Sequence, residues 1–399
     1  MPAFDNLPTD YLDKLQSLRR YDGCDSHLRA FDTADIYLIS EAAAALESAR
    51  SVWVIADNFG ALTLAVLLQG LDTGLNFDEA SARIKLVYTD SFVAARAIGR
   101  NIRGAAKPEQ VYTPPVEHDA CNFPAYTQPD LILGRVPKAK SQLAFLLEQL
   151  KASSSASSRL FLSGMDKHLA KGHYDLIGRN YGPAGYSLAR AKARVWHASV
   201  DLSLPSSKQS SKNYQFDSSA LLFSSRPNSF SAGKLDPGAA FFLDHLDKVP
   251  SKSRVGDLGC GNGILGLSYI NLNPVETLLL SDDSYQAIEA SQNSLALNQS
   301  TFDATCTSIR TTHTDAMYDE PEGSLDLILC NPPFHTQNAV SRAVASRLFD
   351  QAQRLLTQDG QLWVVANRHL HYRRYLAASF SHCEQISANP QFVLLRAVK

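Results

Sequence analysis

The sequence predicts an α/β protein made of two tandem doubly wound sheets, the second intact and the first a degenerate copy of it. Three observations support this reading. Short apolar runs alternate with segments of helical apolar spacing in both halves, the pattern of parallel strands covered by helices on both faces. The same strand-end motifs recur in the same order in each half, so the repeat goes beyond a shared alternation of element types. A Ser/Lys-rich stretch at 204–213, LPSSKQSSKN, has no apolar periodicity and separates a first domain at 1–203 from a second at 214–399. With 399 residues the chain is also longer than one hydrophobic core usually supports.

In the first half, Ser51–Ala56 (SVWVIA) runs into Asp57-Asn58-Phe59-Gly60 and then an apolar helix. Ile84–Thr89 (IKLVYT) ends at Asp90, and Asp130–Gly134 (DLILG) is followed by Arg135-Val136-Pro137-Lys138. Their counterparts in the second half are VGDLGCGNGILGL, LLLSD and DLILCNPPF. There the expected strands are Arg254–Gly256, Thr277–Leu280, Leu325–Cys330 and Gln361–Ala366, with helices over Ala287–Asn298 and Ala343–Leu356. The runs Cys383–Ser387 and Phe392–Val398, separated by Ala388-Asn389-Pro390, predict a terminal antiparallel hairpin.

Composition narrows the function classes. Hydrophobic residues at 45% and charged residues at 20% describe an ordinary globular chain. No run approaches the ~20 apolar residues of a membrane span, and Met1 to Gly23 lacks the apolar core of a signal peptide, so a cytoplasmic protein is expected. The six cysteines lie far apart with no CxxC pair, which argues against a zinc site or a disulfide framework, and no metal is expected. A net charge of −2 means that a nucleic acid would have to be held by local basic patches. Arg135, Lys138 and Lys140, and Arg190, Lys192 and Arg194, are the candidate phosphate contacts.

The chemistry lies in the second half. Asp257-Leu258-Gly259-Cys260-Gly261-Asn262-Gly263 follows a strand and opens a helix, with Gly259, Gly261 and Gly263 letting the backbone turn sharply and a ligand approach the free helix amides. Asp282 follows at the end of the next strand, where an acid would hold ribose hydroxyls. A dinucleotide and S-adenosylmethionine would both satisfy this Rossmann-like arrangement. Asn331-Pro332-Pro333-Phe334, at the carboxyl end of Leu325–Cys330, decides between them. A hydride-transfer enzyme has no use for such a loop. An amino methyltransferase does: the Asn331 oxygen and the Pro332 carbonyl accept from an NH2 group, restoring its lone pair, and Phe334 stacks on the base. Asp257 is a candidate to orient the loop or cofactor, and Asp315 to accept from an adenine amino group.

With DLGCGNGILGL at 257–267, SDDS at 281–284, CNPPFH at 330–335, ANRHL at 366–370 and FVLLRAV at 392–398, the chain resembles the bacterial ribosomal RNA guanine-N2 methyltransferases that have a duplicated methyltransferase fold. The resemblance implies two class I methyltransferase folds, S-adenosylmethionine as cofactor, and methylation of the exocyclic N2 of a guanine. It also implies a first copy that has lost cofactor binding and helps hold RNA. ANRHL and the closing segment favour the enzymes acting on large-subunit, 23S, ribosomal RNA. The family segment FSRxGLDxG reads here Phe230-Ser231-Ala232-Gly233-Lys234-Leu235-Asp236-Pro237-Gly238, without its arginine, so Lys234 or Arg226 would have to replace it. Small-subunit guanine, adenine-N6 and protein glutamine methylation stay open as alternatives, as does an inactive RNA-binding assembly module.

Overall fold

The computed structural model describes residues 4–20, 29–105, 116–119, 123, 128–206, 212–216, 220–227, 234–302, 306–333 and 339–399. The chain divides into two compact units, Met1–Gln209 and Ser210–Lys399, each with its own seven-stranded sheet. In the first, β1 (Val52–Ile55), β2 (Ile84–Tyr88), β3 (Val116–Glu117), β4 (Leu131–Arg135) and β5 (Arg159–Met165) run parallel. A hairpin of β6 (Ala184–Tyr186) and β7 (Ala193–Ser199) completes the order β3-β2-β1-β4-β5-β7-β6, with β7 antiparallel to β5.

The second unit opens with a two-stranded ribbon of β8 (Lys212–Tyr214) and β9 (Phe223–Ser225). Its sheet contains β10 (Arg254–Leu258), β11 (Val275–Asp282), β12 (Cys306–His313), β13 (Leu325–Cys330), β14 (Leu356–Asn367), β15 (His382–Ala388) and β16 (Phe392–Val398). The order β12-β11-β10-β13-β14-β16-β15 repeats that of the first sheet strand for strand. β10 to β14 are parallel, and the closing hairpin inserts β16 antiparallel beside β14.

Central strands buried on both faces need continuous apolar runs, and β1 (VWVI) is buried throughout while β13 (LDLILC) is buried at all but Asp326. One face of the second sheet is covered by the helices Pro237–Leu243 and Ile264–Leu272, through Phe242, Leu267 and Ile270. The other is covered by Ala339–Leu355 and Tyr372–Ser379, through Phe349, Ala352 and Leu376. The chain leaves β10 for β11 on one side and later crosses to β13 on the other. That reversal opens the crevice at the carboxyl ends of the strands where doubly wound sheets bind ligands. Among the described residues no helix is long and apolar enough to cross a membrane.

Several boundaries differ from the sequence reading for physical reasons. β10 runs on to Leu258, so Asp257 is a strand residue. β12 had no expected range, because it is an edge strand whose CTSIRTTH sequence is only partly covered and shows no apolar run. Leu356 belongs to β14 and not to the preceding helix, which ends at Leu355. Lys212 and Asn213, expected in the linker, pair with Ser225 and Ser224 in the ribbon and so belong to the second unit.

Gly266 lies where the helix Ile264–Leu272 meets the sheet most closely: a Cβ there would sit 2.7 Å from Leu280 Cδ2 and 3.1 Å from Asp257 Oδ2. Gly266→Ala is therefore expected to cost about 1–3 kcal/mol by overpacking, lowering the second unit's Tm by roughly 2–4 °C per kcal/mol in calorimetry of the full chain. An unchanged Tm would mean that the helix can withdraw from β11 without cost.

Candidate active site

The loop after β10 is shaped by three glycines with left-handed backbone, Gly259, Gly261 and Gly263, at φ of 74°, 57° and 82°. Residues with a Cβ rarely adopt that region. Among the described residues, a Cβ on Gly259 or Gly261 would meet nothing within 4 Å, so none of them covers the bare backbone of the loop at the carboxyl edge. From below, Gly259 and Cys260 donate their amides to the Ser281 carbonyl, both at 2.9 Å, tying the loop to the end of β11. From the side, Asn262 Nδ2 donates to Tyr214 Oη at 2.9 Å and to the Ser224 carbonyl at 3.0 Å, which clasps the loop to the β8–β9 ribbon.

Two acids hold the loop in different ways. Asp257 is 1% exposed beneath it, and its Oδ2 accepts from the Gly266 amide at 2.8 Å in the first turn of the following helix. Burial, reinforced by the charge of Asp282 and opposed by that amide, pushes the Asp257 carboxyl up to about 7. Asp257 is thus an internal strut of the loop. Asp282 stands half-buried at the end of β11, where Oδ2 accepts from the Gly261 amide at 2.9 Å and Oδ1 from the Ser284 amide at 2.8 Å. A carboxylate oxygen at this position is an acceptor of the kind a ribose hydroxyl needs. Loop and acid together fit an adenosyl group. Asp315, 4% exposed, has an additional neighbour that the sequence did not signal: Arg347 Nε lies 2.9 Å from its Oδ1.

The loop after β13 begins where β13 ends opposite β10, with Cys330 beside Leu258, so Asn331 emerges next to Gly259. Asn331 Nδ2 donates to Asp236 Oδ2 at 3.1 Å. Its Oδ1 is buried and accepts no hydrogen bond from any described residue. Pro332 is buried and Pro333 exposed, while Phe334, the expected stacking ring, lies outside the described residues. Phe230 and Ala232 of the segment ahead of the loop lie outside them too. Arg226, named as a substitute for the family arginine, is committed to Glu289 at 2.5 Å, whereas Lys234 is exposed. Burial pushes the thiols of Cys260 and Cys330 up, aided by nearby carboxylates, so neither supplies a thiolate near neutral pH. Among the described residues no group of His, Cys, Asp and Glu side chains could hold a metal ion.

The first unit repeats this edge with different side chains. Ala56 and Gly60 keep the left-handed turns, at φ of 52° and 92°. Here the buried Asp57 accepts from the Gly60 amide, and from the amide and hydroxyl of Thr63, each at 2.9 Å, so the loop's own carboxylate occupies the helix N-terminus. Gly134 pairs with Ile55 as Cys330 pairs with Leu258, which sets Arg135 at the position of Asn331.

Arg135 was expected to meet phosphate. Instead it is largely buried, with Nη1 2.7 Å from Asp32 Oδ1 and 2.6 Å from Asp35 Oδ1, and Nη2 2.8 Å from Asp32 Oδ2. Its charge is satisfied inside the unit. Arg194 is half committed, with Nε 2.9 Å from Asp166 Oδ1 and its guanidinium over the Tyr186 ring. Arg190 lies over Phe4 and 4.0 Å from Asp5. Lys138, Lys140 and Lys192 are exposed, the last on a two-residue turn with Ala191 and Lys192 both at positive φ.

The second unit matches the family Methyltransferase small domain over residues 220–396, and the first matches the RLMG N-terminal domain over residues 9–202. The Ribosomal RNA large subunit methyltransferase G of Stutzerimonas stutzeri is 36% identical, over 98% of this chain and 99% of that protein. The protein of the same name from Ectopseudomonas mendocina is 34% identical over the full length of both. Among solved structures, the T. thermophilus 16S rRNA N2 G1207 methyltransferase in complex with AdoMet and guanosine shares the fold, with a TM-score of 0.71 at 19% identity over 94% of each chain.

The raised Asp257 carboxyl makes stability depend on pH. An unfolded aspartate titrates near 3.9 and the folded one at about 7, so between these values the folded chain holds more protons and loses stability as pH rises. Asp257→Asn keeps an acceptor for the Gly266 amide and removes the titration. The Tm difference, variant minus wild type, is expected to grow from pH 5 to pH 8 in a pH series of thermal melts; a difference constant across that range would show that the buried carboxyl does not titrate there.

Proposed function

Since the chain belongs to the family of the ribosomal RNA large subunit methyltransferases G, we propose that it transfers a methyl group from S-adenosylmethionine to the exocyclic N2 of a guanine in large-subunit, 23S, ribosomal RNA. The observation that carries this reading is the buried Oδ1 of Asn331 beside the glycine loop, which has no partner among the described residues. A buried acceptor left without a donor costs free energy, which is recovered when a ligand N–H fills it. The cofactor, held by Gly259, Gly261, Gly263 and Asp282, supplies an electrophilic methyl group.

The protein's part is orientation. An exocyclic amine is a weak nucleophile because its lone pair is delocalised into the ring. Asn331 Oδ1 and the Pro332 carbonyl accept its two hydrogens, turn the lone pair out of the ring plane and aim it along the transfer line, while Phe334 stacks on the flipped base. Asp257 and Asp315 act behind this line, one bracing the loop and the other joined to Arg347. In the first unit, Asp57 and Arg135 fill the places that would serve cofactor and amine, so that unit serves to hold RNA. Its phosphate contacts are Lys138, Lys140 and Lys192, with Arg190 and Arg194 beside them.

Two outcomes test the reading. Titration calorimetry should find one S-adenosylmethionine per chain, and Asp282→Ala should weaken it by at least tenfold, since each lost charge-assisted bond is worth ~1.5–3 kcal/mol. A second equivalent of cofactor, or affinity within a factor of two of wild type, would contradict it. Asn331→Ala should leave cofactor affinity nearly intact and slow single-turnover methylation of protein-free 23S ribosomal RNA by ~10²–10³-fold, as for loss of an oxyanion-type contact. Near-normal transfer would remove Asn331 from the chemistry.

A further inference from the structure

We infer that Asp236 is a positioning residue that fixes which end of the Asn331 amide meets the substrate, an inference that rests on the reading of Asn331 as acceptor of the target amine. The two ends of an asparagine amide are nearly equal in shape and opposite in function: one accepts, the other donates. A half-turn of the side chain would present an NH2 group to the NH2 of the substrate. Transfer therefore requires something that tells the ends apart.

Asp236 does so by chemistry. Its Oδ2 is 3.1 Å from Asn331 Nδ2, and a carboxylate can only accept, so the amide nitrogen must face it. The oxygen Oδ1 is then directed away, and it is this atom that is buried without a partner among the described residues. In the reversed orientation two oxygens would face each other at hydrogen-bond distance. Asp236 is itself held. It caps the helix Pro237–Leu243, its Oδ2 accepting from the Ala239 amide at 2.8 Å, with Pro237 fixing the first helical turn. Phe241 and Phe242 anchor that helix in the core.

The first unit contains the same contact with a different outcome. Asp32 caps the helix Thr33–Ser48 and its carboxylate holds Arg135, the residue at the position of Asn331. The group held there is a cation with no acceptor end, so the contact anchors the loop and orients nothing. In the second unit the held group is an amide, and anchoring becomes a choice of acceptor over donor.

Asp236→Ser separates the two consequences, because the serine hydroxyl, one bond shorter than the carboxylate oxygen that serves both groups, still caps the Ala239 amide but no longer reaches Asn331 Nδ2. In the full chain with saturating S-adenosylmethionine and protein-free 23S ribosomal RNA, single-turnover methylation should slow by about 10- to 100-fold, while Tm and cofactor affinity stay near wild type. Asp236→Asn, whose carbonyl oxygen can accept from both groups as Oδ2 does, should restore most of the rate. Added to Asn331→Ala, Asp236→Ser should slow transfer no further. A normal rate in Asp236→Ser, a loss that Asp236→Asn fails to restore, or a loss that adds in full to that of Asn331→Ala would each overturn the inference. Normal transfer by Asn331→Ala alone would instead overturn the acceptor reading, and this inference with it.

Discussion

Parallel pairing of β10 with β13, in register from Val255 beside Leu327 to Leu258 beside Cys330, is the constraint on which the site depends. The two strands end level, so the loops that leave them start side by side although some 70 residues separate them along the chain. The glycine loop can then present bare backbone at the spot where Asn331 presents an oxygen with no partner among the described residues. A shift of one residue would turn every side chain of a strand to the opposite face of the sheet. The apolar burial of both faces of β13 holds the register against such a shift.

The same constraint operates in the first unit, where Val52 to Ile55 pair with Leu131 to Gly134. Two copies of one backbone arrangement therefore stand in one chain with opposite electrostatic solutions. In the second unit the crevice edge has a glycine loop and an amide oxygen that no described residue covers or partners. In the first, Asp57 satisfies the helix amides from within and Arg135 is neutralised by Asp32 and Asp35. A buried guanidinium is tolerable only with such partners, because removing one would leave an uncompensated charge. The first copy is thereby self-satisfied at the point where, among the described residues, the second leaves an acceptor without a donor.

The acids of the second unit show how position divides one residue type into separate tasks. Asp257 is under the loop, where burial raises its carboxyl and a helix amide is its partner. Asp282 is at the rim, with both oxygens on backbone amides. Asp315 is turned toward Arg347 on a helix of the opposite face. Asp236 comes from yet another helix and reaches the loop after β13 through a cap.

Much of this was legible in the chain. Alternating apolar runs and helical spacing determined two tandem α/β sheets, because central strands covered on both faces cannot be built from other patterns. The glycine spacing of 259, 261 and 263, the acid at 282 and Asn331 at a strand end pointed to one edge of the second sheet as the candidate site, because each of those residue types has a local backbone or donor requirement that spacing reveals. The edge strand β12 escaped, since a partly exposed strand has no apolar run to announce it. Arg135 was misread as a surface cation for a related reason: charge is visible in a sequence and burial is not. The partnerships of Arg135 with Asp32 and Asp35, Arg347 with Asp315, Asn262 with Tyr214 and Asn331 with Asp236 were decided only by the tertiary structure. They join residues 32 to 103 positions apart, and a hydrogen bond depends on distances of a few ångströms that only packing fixes.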